Sequence, residues 1–288
     1  MKRNWIAYLF LTPALLFGFV FFILPVLLAL ALTFTNFQAF TPVKWIGLAN
    51  YQYLLRSDPF FLETLKNTAI FVVGALLAGI PLALLVAYAS SRSRGRGFWR
   101  SVFWLPTVTN VIAIAFVWRF VLANATGLLN RALDFFHLPG PGWLTSPWLA
   151  IGSIIAVFIW MNLGKGMLLL SAGIDGIDES YFEAAKLDGA NGWHLFTRVA
   201  IPLLKPTLLF VLITDFIACF SSFPLIMVLT EGGPAHSTTV TALYTYDMAF
   251  ADLRLGRASA AAFILFLLIF FAMWAQLRLF RRAGMEIE

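Results

Sequence analysis

Charge is what this sequence has least of. Only 12% of its 288 residues are charged, against about 25% in an average soluble domain. That deficit excludes an ordinary soluble fold and points to a chain whose solvent is lipid. Cysteine is nearly absent: Cys219 stands alone in an apolar run, so there is no disulfide framework and no cysteine metal cluster. The three histidines, His137, His194 and His236, fall in three separate loops, which argues against a histidine metal site. No G-x-x-x-x-G-K-[ST] nucleotide loop occurs, because Gly164-Lys165-Gly166 lacks the upstream glycine and the following hydroxyl. Neither G-x-S-x-G nor H-E-x-x-H is found, which leaves an intramembrane enzyme without chemistry.

What the chain has is apolar surface, 61% hydrophobic residues with 30 Phe and 10 Trp. A helix needs about 20 apolar residues to cross a bilayer. Six runs qualify, at about 6–34, 69–90, 103–123, 149–171, 204–229 and 259–279. The first is too long for a cleaved signal and lacks a small-residue cleavage site after it, so a retained helix is expected.

The basic residues cluster beside the spans and not along one extended face, which sets nucleic acid aside as a partner despite a pI near 9.7. With the N-terminus inside, the inner segments hold Lys2, Arg3, Arg92, Arg94, Arg96, Arg100, Lys186, Arg198, Lys205, Arg278, Arg281 and Arg282. The outer segments hold only Lys44, Arg56, Lys66, Arg131, Arg254 and Arg257. That two-to-one excess predicts both termini in the cytoplasm. Residues 124–148 read as a turn-dense loop (LPGPGWLTSPW), and Gly232, Gly233 and Pro234 end the fifth span. Arg119, at the outer end of the third span, is expected to snorkel to the interface.

One long polar insertion interrupts this pattern, between the fourth and fifth spans at 180–202 (SYFEAAKLDGANGWHLFTRVAIP). Ser180 and Glu183 have capping-box spacing, Gly189 is placed to end a first short helix, and Asn191 can cap a second. Pro202 and Pro206 suit the first turn of the fifth span. The loop is therefore expected to be ordered on the cytoplasmic side, presenting a helix with a small face at Ala184 and Ala185.

Glu183-Ala184-Ala185, then Gly189 after three intervening residues and Val199-Ala200-Ile201-Pro202 after nine more, resembles the EAA loop of membrane subunits of binding-protein-dependent ABC importers. RGRGFWRSVFWLP, FVWRF, LDGAN, IPLLKP, LTEGGP and FADLRLGRASA extend the likeness over nearly the whole chain. They are most similar to the carbohydrate-uptake branch, of the maltose and glycerol-phosphate permease type. Asp178 departs from relatives, which commonly carry proline just before this helix.

The resemblance implies an all-α integral membrane protein of the inner (plasma) membrane with six transmembrane helices, a type I ABC importer transmembrane domain. Residues 1–68 would supply the first helix and an outer loop, and 69–282 the core domain with its coupling loop. Glu183, Ala184, Ala185 and Gly189 would couple to a separate ATPase. The implied partners are two ATP-binding subunits carrying the ATP and magnesium, a second and similar permease chain, an extracytoplasmic solute-binding protein and a sugar-like substrate. This chain itself would bind no cofactor and would not be an enzyme.

Ionisable groups inside spans are costly and call for a function. Lys165 lies in the fourth span and Asp215 near the middle of the fifth, where Asp215, Cys219 and Ser222 recur at one-turn intervals on one stripe. Pro224 predicts a bend by freeing the Phe220 carbonyl. In the resembled family the substrate sits against this part of the fourth and fifth helices, which implicates Asn162, Lys165, Asp215, Cys219 and Ser222. Two other readings stay open. Lys165 and Asp215 could pair structurally, or Asp215 could be the proton or cation site of an ion-coupled secondary transporter.

Overall fold

The computed structural model describes residues 4–282 apart from 40 and 92. Among the described residues the chain is helical with no strand, apart from one isolated bridge between Thr35 and Trp45. Four helices are long and apolar enough to cross a membrane: Tyr8–Leu32, Phe61–Ser91, Pro147–Asp175 and Leu255–Phe280. Two further segments are sharply bent helix pairs, and the number reaches the expected six if each pair crosses as one span.

The expected third span, 103–123, is not one helix. Arg96–Trp104 runs into a tight turn at Leu105–Val108, and Val111–Val121 leaves at 97° to it. Pro106 stands in that turn, and Asn110 starts the next helix by accepting from Ile112 and Ala113 backbone N–H groups at 2.9 and 3.3 Å.

The expected fifth span, 204–229, is also divided. Gly192–Leu203 meets Lys205–Phe220 at 72°, and Ser221 and Ser222 separate the latter from Phe223–Thr230. Pro206 occupies the first turn of Lys205–Phe220 as expected, whereas Pro202 sits before the bend, in the short Ile201–Leu203 turn. At Pro224 the predicted bend is a full break, with the proline in the first turn of Phe223–Thr230. Ser222 therefore lies off the Lys205–Phe220 helix and does not continue its Asp215–Cys219 stripe.

The second span starts well before residue 69 because Asp58 caps it, its Oδ1 accepting from Phe60 and Phe61 N–H groups at 2.9 Å. Ordered pieces also occupy the loops. Leu128–Phe135 is a helix within the turn-dense 124–148 segment, and Thr241–Phe250 is one within 230–258.

Contacts divide the chain into two compact units, the chain up to Glu63 with Tyr244–Ile269, and Thr64–Leu243 with the chain from Phe270 on. In the first unit the buried amide of Asn50 donates to the Thr33 and Thr35 carbonyls at 2.8 Å, holding the chain where the first span ends. Asp58 also accepts from the Tyr244 hydroxyl at 2.6 Å. Burial and that hydrogen bond push the Tyr244 phenol above its ordinary pKa.

The second unit is built around Pro147–Asp175. Its Leu163, Met167, Leu170 and Ile174 recur at helical spacing and form one apolar core with Ala83, Ala87, Phe196, Leu204 and Val211. Gly164 lets another backbone in: a methyl group there would collide with the Phe103 carbonyl oxygen. Thr107 completes that contact by donating to the Met161 carbonyl at 3.0 Å. Residues after 230 are tied to the second span by buried polar groups, as Thr68 takes the Thr241 N–H at 2.9 Å and Asn67 donates to the His236 carbonyl at 2.9 Å.

Candidate functional site: an exposed loop helix and an intramembrane ion pair

The loop between the fourth and fifth spans folds as two short helices. The first is Glu179–Leu187, and Asp178 caps it, accepting from the Ser180 N–H at 2.9 Å. The cap therefore lies two residues before that of the expected capping box, and Ser180 already lies inside the helix. The Ser180 N–H, and then the Ser180 hydroxyl, hold the Asp178 carboxyl below its ordinary pKa.

The far end of this helix is closed by Gly189. With φ at +82° it reverses the chain, so that its N–H reaches the Lys186 carbonyl at 3.0 Å and the Ala190 N–H reaches the Ala185 carbonyl at 2.9 Å. This paired closure needs a left-handed residue that glycine adopts without strain. Asn191 then caps the next helix by accepting from the His194 N–H at 2.9 Å, as the sequence predicts.

Phe182 faces inward and is buried with Leu195 and Ala200, against Tyr88 and Ile177. Burying one phenylalanine stabilises by about 1.5–3 kcal/mol. That suffices to seat a nine-residue helix which would be marginal alone. The opposite side carries Glu183 and Ala184, both exposed. A carboxylate and a methyl-sized neighbour thus stand on a rigid outward face.

Within the spans, Lys165 Nζ lies 2.7 Å from Asp215 Oδ1. The contact is an ion pair off the geometry of a good hydrogen bond, and Oδ1 is otherwise enclosed without a hydrogen-bond partner. The Lys165 and Asp215 side chains are 26% and 13% exposed, so the pair is largely withdrawn from solvent. Asn162, one turn before Lys165, turns its amide onto the Phe158 carbonyl at 3.0 Å. Asn162 and Asp215 both border a cavity of about 10 Å³, room for about one water and none for a sugar ring.

Cys219 and Ser222 are buried, and the Ser222 hydroxyl donates to the Cys219 carbonyl at 2.6 Å, closing the end of the broken helix. Of the five expected site residues, the fold gathers Asn162, Lys165 and Asp215. It leaves Cys219 and Ser222 enclosed at the helix break.

Two further features do not follow from the apolar pattern of the spans. An apolar groove of about 440 Å³ opens at the bend of the third span, lined by Leu105, Pro106, Trp118 and Trp160, with the two indoles edge to face at 5.5 Å. Pro106 followed by Asn110 was the signal for that bend. Arg119, at the outer end of the third span, pairs with Glu231 at 3.0 Å and donates to the Val228 carbonyl at 3.0 Å, clasping Val111–Val121 to Phe223–Thr230. Glu231 ends the second of these helices in a left-handed conformation, φ 54°.

Comparison with known proteins agrees with this geometry. Residues 79–284 match the family described as "Binding-protein-dependent transport system inner membrane component". The chain is 31% identical over 277 residues to a probable ABC transporter permease protein, YesP, of Bacillus subtilis (strain 168), covering 93% of this chain and 88% of that one. It is 32% identical over 269 residues to the lactose transport system permease protein LacF of Rhizobium radiobacter, covering 91% and 90%. Its fold superposes with a TM-score of 0.84 on a chain of a bacterial ABC transporter involved in the import of the acidic polysaccharide alginate, at 25% identity over 98% of this chain and 96% of that one. A multi-pass helical chain with this loop, this core and these relatives belongs to the family of inner membrane components of binding-protein-dependent transport systems.

Proposed function

We propose that this permease subunit forms half of the translocation path of an ATP-driven importer for a sugar or a related polar solute. The observation that carries the proposal is the Glu179–Leu187 helix, anchored by Phe182 and closed at Gly189, which offers Glu183 and Ala184 to a partner. That partner is a separate ATPase subunit, two per transporter, holding ATP and magnesium. The missing nucleotide loop and the two-to-one excess of basic residues on the loop's side support this, with both termini and the loop in the cytoplasm. A second permease chain completes the path, which explains why the cavity lined by this chain alone has no room for a solute. An outer solute-binding protein delivers the substrate, in keeping with the family's description, and similarity to a lactose permease favours a carbohydrate.

On this reading the solute meets Asn162, Lys165 and Asp215, with Cys219 and Ser222 closing the wall behind. Solute hydroxyls would exchange for the ion pair as the path opens, a shift between two states of one pore. Asp215→Ala should then change solute affinity while folded protein is still recovered. The ion-coupled alternative finds no support among the relatives, and Asp215 is already held by Lys165.

The test is reconstitution in liposomes with the two ATPase subunits, the second permease and the binding protein. Uptake should require ATP, and Glu183→Ala should lower ATP-driven uptake roughly tenfold, the effect of losing one charge-assisted hydrogen bond. Uptake by the purified chain alone down an ion gradient would refute the proposal. Unchanged ATP-driven uptake in Glu183→Ala would reduce Glu183 to a surface residue.

A further inference from the structure

We infer that the first compact unit holds a site for a phosphate group, formed by Arg254 and Arg257 at the headgroup level of the membrane. A polar pocket of about 80 Å³, the scale of one tetrahedral oxyanion, is lined by Asn36, Gln38, Asn50, Arg254 and Arg257. Both arginines are half-buried, and among the described residues neither makes an ion pair. Half-buried guanidinium groups without a carboxylate are expensive, and an anion from outside the chain offsets that cost.

The nearby carboxylate of Asp58 is engaged elsewhere. One oxygen accepts from the Phe60 and Phe61 N–H groups and the other from the Tyr244 hydroxyl. The Arg257 guanidinium lies over the Tyr53 ring, its carbon 3.7 Å from the ring centroid. The ring covers one side of the guanidinium and leaves N–H donors available, the donors that grip phosphate oxygens in pairs. Asn36 and Asn50 direct their amides to backbone carbonyls, so Gln38 is the neutral donor left to a ligand.

The position of the pocket selects the phosphate's setting. The first span ends at Leu32 and the last begins at Leu255, so the pocket lies where two membrane helices terminate within one unit. Phe34, Trp45 and Tyr51 form a ring cluster at the same level, with Trp45 70% exposed, as in aromatic belts at the membrane interface. Phospholipid phosphates sit at this depth. A free phosphate ion presents the same chemistry, and the experiment separates the two.

The full-length protein, purified in detergent and stripped of lipid, is titrated separately with phosphatidylglycerol, with diacylglycerol and with inorganic phosphate, with binding read by native mass spectrometry. Phosphatidylglycerol should bind and diacylglycerol should not. Arg254→Gln/Arg257→Gln should weaken the phosphate-bearing ligand roughly tenfold or more. Gln38→Glu, which keeps both arginines and places a carboxylate in the pocket, should do the same and serves if the double variant fails to fold. If inorganic phosphate alone shows this dependence, the site takes the free ion. Equal binding of both phosphate ligands by the parent and by folded variants would overturn the site. So would variants that leave them unchanged yet lose the second permease or the solute-binding protein, since a partner's acidic side chain would then be the anion.

Discussion

The Pro147–Asp175 helix runs unbroken for 29 residues, while the two membrane segments packed on it are each broken, one at Thr109 and Asn110, the other at Leu204 and again at Ser221 and Ser222. The unbroken helix spends its sequence on close contact: four apolar core residues on one face, and Gly164 where the Phe103 backbone passes. Its neighbours spend theirs on satisfying polar backbone at the joints. Asn110 caps one joint, Ser222 bonds the Cys219 carbonyl at another, and a proline stands in the first turn after each break in the fifth span. Broken helices survive at membrane depth only where freed backbone groups find partners. One helix thus serves as a fixed reference for two jointed ones, and the Lys165–Asp215 pair connects the fixed partner to a jointed one.

That contrast can be broken first at the ion pair. Asp215→Asn or Lys165→Met alone should destabilise by about 3–5 kcal/mol by stranding one buried charge. The double variant should recover most of that loss, with thermal unfolding in detergent as the measurement. Equal losses in single and double variants would mean that the pair does not connect the two helices.

The close contact comes next. Gly164→Ala should cost about 1–3 kcal/mol through overpacking against the Phe103 carbonyl. On the same helix Gly152→Ala, where nothing lies within 4 Å of the added methyl group, should be neutral or stabilising by up to about 1 kcal/mol. The same unfolding experiment compares them, and similar losses at both positions would remove the case for a specific approach at 164.

Smaller effects belong to the caps. Asn110→Ala should cost about 1 kcal/mol and increase hydrogen exchange locally, in the first turn of Val111–Val121. Asp178 carries a pH dependence of definite sign. A carboxyl whose folded pKa is depressed stabilises fully above the ordinary aspartate value, and the contribution is lost as pH falls through the depressed value. Protection factors in Glu179–Leu187, corrected for the intrinsic pH dependence of amide exchange, should therefore fall on acidification, and Asp178→Asn should flatten that response.

Much of this was legible from residue order. Six apolar runs predicted six crossings, Asn191 and Gly189 marked their caps, and the spacing from Glu183 to Pro202 identified the loop. What escaped depends on competition between signals. The run 103–123 is apolar enough that Pro106 and Asn110 read as tolerated interruptions, yet a cap that satisfies two N–H groups lets the chain turn 97°. Ser180 and Asp178 both precede a helix at capping distance, and only geometry shows which carboxyl or hydroxyl faces the open N–H groups. The stripe Asp215, Cys219, Ser222 assumed helical geometry through a point where the helix stops. Arg119 finds Glu231 across 112 positions, a pairing that no local pattern encodes.

The bend at Leu204 has a mechanical consequence. Gly192–Leu203 is an arm about 18 Å long at the helical rise, set at 72° to Lys205–Phe220 with Leu204 buried at the elbow. A rotation of roughly 10° about that elbow would carry the far end of the arm by roughly 3 Å. Displacement at the loop would thus be geared down toward the joint, so that a large movement outside the membrane becomes a small, forceful adjustment one helix away from Asp215.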